Sequence, residues 1–346
     1  MTENAKTNNF AKPAPDLNGA SILVTGGTGS FGNAFMRTVL DRFRLARLVI
    51  FSRDEQKQYE MQMRLDSDVG DCVRFFIGDV RDRDRLEMAM RGIDTVIHAA
   101  ALKHVPAAEY NPFECINTNV LGAENVVQAA IRAGVNKVIG LSTDKAANPI
   151  NLYGASKLAA DKIFVAANHL SGADGTRFSV VRYGNVMGSR GSVIPLFQRL
   201  VAEGATKLPI TDPRMTRFWI TLGQGVDFVL SSLALMHGGE IFVPKIPSMK
   251  MIDLANALAP DLEQEVVGIR PGEKLHEVMV PRDDARATVE LDDRFIITPS
   301  FMRWAADAHW EGAARGVGED FRYGSDTNDD WLSPDDLHAM LANETA

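Results

Sequence analysis

Between Ala20 and Leu141 the short apolar runs SILVTG, RLVIFS, VRFFIGD, DTVIHAA and KVIGLS alternate with longer segments of helical pattern. This alternation constrains the fold more than any other feature, because strands joined by helical crossovers form a parallel sheet covered on both faces. The runs are apolar almost throughout, as doubly covered strands must be; a sheet with one solvated face would alternate. The chain is therefore expected to be α/β, with a doubly wound parallel sheet. Residues 109–133 are expected to be helical once past Pro112, and further strands are expected at RFSVVRYGN, residues 177–185, and EIFVP, residues 240–244.

Beyond Pro195 the pattern loosens into shorter helices and strands, which predicts a smaller mixed α/β lobe over the carboxyl edge of the sheet. The expected organisation is a flexible leader over residues 1–18, a first domain over 19–185, and a second lobe over 186–346 interleaved with the end of the first. One body with two lobes accounts for a chain of 346 residues. A net charge of -8 offers no basic footprint for nucleic acid. The opening residues have neither the positive nor the apolar region of a secretory signal, and no apolar run approaches a membrane span. Two cysteines, Cys72 and Cys115, both in apolar settings, argue against a disulfide framework and fit a reducing cytoplasm.

The first apolar run leads directly into TGGTGSFG, where Gly26, Gly29 and Gly32 are spaced GxxGxxG and Gly27, Gly29 and Gly32 satisfy GxGxxG. Such glycines allow a tight strand-to-helix turn, close approach of backbone to a pyrophosphate, and close helix packing, while the helix N-terminus presents amide donors to the anion. A Rossmann-type dinucleotide site is therefore expected, with Thr28, Ser30 and Phe31 beside the cofactor. The second strand ends in Ser52, Arg53 and Asp54, with Lys57 one turn further on. Ser52, Arg53 and Lys57 suit a 2′-phosphate, which favours NADP; in the alternative Arg53 is a solvated charge and Asp54 holds the ribose of NAD. Asp79 and Val80 in GDV are expected at the adenine, and Ala99, Ala100 and Ala101 in HAAA beside the cofactor. His98 reads as a satisfied core histidine.

TGGTGSFG, Asn119 and the YxxxK pair of Tyr153 and Lys157 resemble the extended short-chain dehydrogenase/reductases. The resemblance narrows through SRDEQKQ, AALKHVPAAEYNPFECINTNV, STDKAANPINLYGASK, RYGNVMGSRGSVIP, MTRFWITL, EIFVPKIPSMKM, GIRPGEKLHE and NDDWLS, which are similar to the inverting UDP-N-acetylglucosamine 4,6-dehydratases. It implies NADP as a tightly held cofactor, a UDP-sugar substrate, and the first step towards pseudaminic acid. Tyr153 and Lys157 lie one helical turn apart, and a nearby ammonium is expected to lower the phenol towards a useful base for the substrate 4-OH. Alcohol oxidation needs no more than this, so Asp144 and Lys145 at the end of the preceding strand are the informative addition. By resemblance Lys145 is the C5 base, Asp144 the acid for the C6 hydroxyl, and Thr143 their support. Direct adjacency opposes those roles, since each charge stabilises the other.

A UDP-sugar calls for cations at its pyrophosphate and amide groups at its base. Lys103, Asn185, Val186, Arg190, Arg217, Arg270 and Glu273 are the candidates, in agreement with the resemblance. Met215, Met249 and Met251 read as packing. No metal is expected, and relatives of this kind imply a homo-oligomer. Retaining dehydratases carry Asp-Glu where this chain has Asp144-Lys145, and a UDP-sugar 4-epimerase needs no elimination pair. A catalytically idle NADP-binding sensor would be expected to lose the YxxxK pair or the pyrophosphate turn.

Overall fold

The computed structural model describes residues 8–65, 71–189, 191–299, 310 and 312–345. Six strands, β1 (Ser21–Thr25), β2 (Arg47–Ser52), β3 (Val73–Ile77), β4 (Thr95–His98), β5 (Lys137–Thr143) and β6 (Arg177–Tyr183), form a parallel sheet in the order β3-β2-β1-β4-β5-β6. All of β4, and all but the first residue of β5 and β6, are buried. This is the doubly wound order, and its crossovers run in opposite directions on either side of the β1/β4 boundary. A crevice therefore opens beyond the carboxyl ends of those two strands.

The expected helix beyond Pro112 is present but subdivided. Pro106 and Pro112 each occupy the first turn of a short helix, Val105–Tyr110 and Pro112–Ile116. A proline starts a helix easily but cannot donate to the preceding turn, so the chain breaks at Asn111. The second helix then opens into a π turn at Asn117–Leu121 before continuing as Gly122–Ala133.

The second half of the chain returns to the sheet repeatedly. Strand Ile241–Pro244 joins β6 in parallel, and Arg294–Ile297, Thr288–Glu290 and Arg315–Gly316 extend it antiparallel to ten strands. Helix Leu222–Leu235 packs on helix Ser30–Arg42. A second core, separate from that of the sheet, gathers Phe197, Leu208, Trp219 and Leu254, with Met215, Met249 and Met251 as filling. The lobe is thus tied to the sheet by paired strands. Among the described residues no helix is long and apolar enough to cross a membrane.

The expectation of a flexible leader does not hold for residues 8–18; residues 1–7 lie outside the described residues. Phe10 is 1% exposed, with its ring 5.0 Å from that of Phe228 in an edge-on arrangement, and Leu17 is buried as well. The Asn8 side chain donates to the Lys245 carbonyl at 2.8 Å. One aromatic ring outweighs the local polarity that made this segment look unstructured. Truncation of a buried phenylalanine costs about 3–5 kcal/mol. Phe10→Ala is accordingly expected to lower the urea midpoint clearly while turnover per folded molecule stays unchanged, which equilibrium unfolding and an activity assay on the soluble fraction would check.

Candidate active site

The turn between β1 and helix Ser30–Arg42 fits a dinucleotide. Gly26 has φ +64°, and a Cβ there would lie 2.8 Å from the Ala100 nitrogen; a Cβ on Gly32 would overlap the Gly27 carbonyl. The helix begins at Gly29 with no side-chain cap, which leaves its first amides for a ligand. Thr28, Gly29, Ser30, Phe31, Ala99, Ala100 and Ala101 line one continuous cleft of about 1140 Å3, which runs on to Tyr153, Lys145 and Arg270.

At the end of β2, Ser52, Arg53, Asp54 and Lys57 also line the cleft. The Ser52 hydroxyl accepts from the Gln58 amide at 3.0 Å. Asp54 caps helix Glu55–Gln62, accepting from the Lys57 amide at 3.0 Å, and its bonds to Lys57 hold the carboxyl below the usual aspartate value. The Arg53 side chain is 54% exposed and 3.5 Å from Asp79. Burial opposes the charge on Asp79, but the bonds from Arg81 prevail and keep its pKa low. Val80, beside it, is buried and lines the cleft.

Asn119, which the family resemblance implies as a cofactor-binding residue, does not itself line the cleft. It is 1% exposed in the π turn, where its amide accepts from the Leu102 N–H at 2.8 Å and donates to the Leu102 carbonyl and the Ser156 hydroxyl, each at 2.9 Å. It clamps the loop after β4 to helix Leu152–Ser171, and so fixes two walls of the site.

Tyr153 and Lys157 both face the cleft from helix Leu152–Ser171, but the charge relation between them differs from expectation. Burial pushes the Tyr153 phenol up to about 12, and the groups that pull it down are the Lys145 ammonium and the bonded Thr143 hydroxyl. Burial lowers the pKa of Lys157 against the opposing charge of Asp161. The ammonium that pulls the Tyr153 phenol down is that of Lys145.

Asp144 and Lys145 form the short turn that ends β5. Asp144 is fully buried and does not line the cleft; its Oδ1 accepts from the Thr143 hydroxyl at 2.8 Å and the Lys145 ammonium at 2.9 Å, and its Oδ2 has no partner. Lys145 Nζ also donates to Asn185 Oδ1 at 3.1 Å and stands 3.7 Å from Glu277. Burial works against its charge, yet Asp144 and Glu277 together raise its pKa above the ordinary lysine value. The adjacency that sequence reasoning found contrary to the assigned roles is a direct contact.

The substrate candidates converge unevenly. Lys103, Asn185, Val186, Arg217, Arg270 and Glu273 line the cleft; Arg190 lies outside the described residues. Burial, then the charge of Lys145, lowers the pKa of Lys103. Arg217 is buried and donates to the carbonyls of Thr216, Lys274 and Leu275, which fixes it to the loop that carries Arg270. Arg270 is largely exposed and 3.7 Å from Glu273. Sequence reasoning missed Glu277 and Lys274. Both lie in GEKLHE, a motif recognised as a whole, but only contacts across the fold single them out.

These features place the chain among the short-chain dehydrogenase/reductases with a nucleotide-sugar lobe. The family described as polysaccharide biosynthesis protein matches residues 22–299, and the chain belongs to it. It is 55% identical over 326 residues to the UDP-N-acetylglucosamine 4,6-dehydratase (inverting) of Campylobacter jejuni subsp. jejuni serotype O:23/36 (strain 81-176), covering 93% of this chain and 97% of that protein. The UDP-glucose 4-epimerase of Rickettsia conorii (strain ATCC VR-613 / Malish 7) is 46% identical over 80% of this chain and 82% of its own length. The crystal structure of the dTDP-glucose 4,6-dehydratase DesIV from Streptomyces venezuelae, with NAD and TYD bound, aligns at a TM-score of 0.64 and 25% identity, over 74% of this chain and 86% of that one.

His98, at the end of β4, is the core histidine expected. It is 1% exposed, its Nδ1 is 2.8 Å from the Thr25 hydroxyl, and burial, then the charge of Lys157, lowers its pKa to about 3. Below the ordinary value near 6.5 the unfolded chain binds a proton that the folded chain refuses, so stability falls with pH until about pH 3. Between about pH 7.5 and 5.5 the loss from this residue is expected to be about 1.4 kcal/mol. Urea midpoints at the two pH values should show a smaller difference for His98→Asn than for the parent.

Proposed function

We propose that the protein catalyses NADP-dependent 4,6-dehydration of UDP-N-acetylglucosamine with inversion at C5, giving UDP-2-acetamido-2,6-dideoxy-β-L-arabino-hexos-4-ulose. The observation that carries this reading is the hydrogen-bonded Asp144–Lys145 pair beside the Tyr153–Lys157 pair, since alcohol oxidation alone uses only the second. Gly26, Thr28, Gly29, Ser30, Phe31 and Gly32 hold the pyrophosphate, and Arg53 with Lys57 holds a 2′-phosphate, because Asp54 is engaged as a helix cap. When bound, the nicotinamide would accept hydride from C4 and return it to C6, with a proton returning to C5 on the face opposite to the one it left, so the dehydration is redox-neutral.

Tyr153 takes the proton of the 4-OH. Its phenol needs positive charge nearby to ionise, and Lys145 is the residue that supplies it. A 4-ketone makes the C5 proton acidic, and a neutral Lys145 amine removes it. Lys145 becomes neutral by passing one proton to Asp144, 2.9 Å away, and the same transfer creates the acid that the leaving C6 hydroxyl requires. Because Asp144 does not reach the cleft, its proton travels through Thr143: that hydroxyl gives its own proton to the leaving oxygen and takes one from Asp144. Lys103, Arg217 and Arg270 attract the diphosphate, and Asn185 and Val186 border the sugar.

Retention in place of inversion is the second reading of the same site, and the Rickettsia conorii relative keeps 4-epimerisation as a third. An epimerase moves no proton at C5 and has no use for the Asp144–Lys145 pair. On this reading the enzyme would work in the cytoplasm as a homo-oligomer, at the start of a route to pseudaminic acid of the kind that serves flagellin glycosylation.

Purified protein incubated with UDP-N-acetylglucosamine in deuterium oxide, without added cofactor, should yield a 4-keto-6-deoxy sugar carrying deuterium at an inverted C5, as read by NMR. Recovery of the C4 epimer with all oxygens retained would refute the proposal. Lys145→Met is expected to cut dehydration by about 10²–10⁴-fold while leaving bound cofactor in place.

A further inference from the structure

Glu277 sits immediately before strand Val278–Val280, which packs against the turn that carries Asp144 and Lys145. It is 2% exposed. Its backbone is fixed by two bonds to Ser325: the Glu277 N–H donates to the Ser325 hydroxyl at 2.9 Å, and the Ser325 N–H donates to the Glu277 carbonyl at 2.8 Å. Three cations surround the carboxylate at a short stand-off: Lys145 Nζ at 3.7 Å, Arg217 Nε at 3.9 Å and Lys274 Nζ at 3.6 Å. Its Oε2 has no hydrogen-bond partner although it is buried. A buried carboxylate on the wall of a catalytic cleft, whose Oε2 makes no hydrogen bond and meets only the Lys274 ammonium at 3.6 Å, calls for an explanation.

The surroundings of Lys145 supply one. Asp144 faces it from its own turn, Thr143 and Tyr153 from β5 and helix Leu152–Ser171, Asn185 from the strand after β6, Arg217 from strand Thr216–Ile220, and Lys103 and Lys274 from loops. Arg217, Lys103 and Lys274 are positive, and each favours loss of the Lys145 proton. Against them stand two carboxylates, and the nearer one, Asp144, must itself take up and release a proton in the reaction proposed above. Glu277 is the anion left over.

We propose that Glu277 is a positioning residue that retains the single shared proton of the Asp144–Lys145 pair and, with Asn185 and Asp144, aims the Lys145 amine at the reacting carbon. The inference rests on the dehydratase reading for its catalytic meaning. The pair is active with one proton and inactive with none, since the leaving hydroxyl then finds no acid. The loss of that last proton is the basic limb of the kcat profile. Removing a negative charge this close moves the limb down by about one to three pH units.

The experiment compares kcat against pH at saturating UDP-N-acetylglucosamine for the parent, Glu277→Gln and Glu277→Asp, all purified with their bound cofactor. The limb is expected lowest for Glu277→Gln, intermediate for Glu277→Asp, whose carboxylate stands further back, and highest for the parent. Three coincident limbs, whatever the loss in kcat, would reduce Glu277 to a structural role and overturn the proposal. Should Glu277→Gln fail to fold, the parent and Glu277→Asp alone decide, with no displacement as the overturning result. Trace acetylation of Lys145 by acetic anhydride across the same pH range, read by mass spectrometry, reports the same displacement without turnover. If acetylation shows the shift but the parent forms no keto sugar, the dehydratase reading fails and the charge relation stands.

Discussion

Burial of the Asp144 carboxylate organises the active site. A charge with no solvent exposure persists only when fixed donors replace water, and here the donors are Thr143 and Lys145, its immediate neighbours. That requirement sets the conformation of the turn ending β5. It brings the Thr143 hydroxyl to the phenol of Tyr153 and turns Lys145 towards the second lobe, where Asn185 and Glu277 receive it. In the mechanism proposed above, proton transfer would be confined to this chain of neighbouring groups, because Asp144 at its end is closed off from solvent.

The interleaved topology makes this geometry possible. Lys145 belongs to the parallel sheet, whereas Arg217, Lys274 and Glu277 belong to segments that follow it by seventy residues or more. Were the two parts joined by a hinge, distances of 3.6–3.9 Å between Glu277 and its cations would vary with every opening of the cleft. Strand Ile241–Pro244 and its antiparallel neighbours instead lock the later chain into the sheet, and Arg217 is bonded to the backbone of the loop leading to Glu277. Preorganisation of the charged groups is thus a property of the strand pairing, which in the proposed reaction would lower the ordering cost at the base.

Much of the fold was legible because its signals are local. Each apolar run is long enough to be a strand, and the glycine spacing has one economical structural meaning; both appear where expected. What escaped is non-local. The charge of Phe10's surroundings says nothing of the ring's pocket on Phe228, which is formed by residues more than two hundred positions away. The helix expected past Pro112 is preceded by a separate one, Val105–Tyr110, which Pro106 starts, since a proline in a first turn starts a helix as readily as it ends one. Asn119 has the side chain of a ligand and the surroundings of a clamp.

The charge balance of the cleft gives the same lesson in energetic form. Lys103 and Lys274 have their pKa values lowered and Lys145 has its pKa raised, although all three are lysines partly or wholly withdrawn from water. Burial acts on all three in one direction: Lys103 is acted on by burial and by another cation, burial prevails on Lys274 although Glu277 faces it at 3.6 Å, and only Lys145 adds a direct bond to Asp144 at 2.9 Å. A diphosphate entering the cleft adds negative charge on the side of Lys103, Arg217 and Arg270. It offsets their mutual repulsion there without replacing the carboxylates that hold Lys145. In the reading proposed above Arg217 faces both tasks, since it lines the cleft and stands 3.9 Å from Glu277.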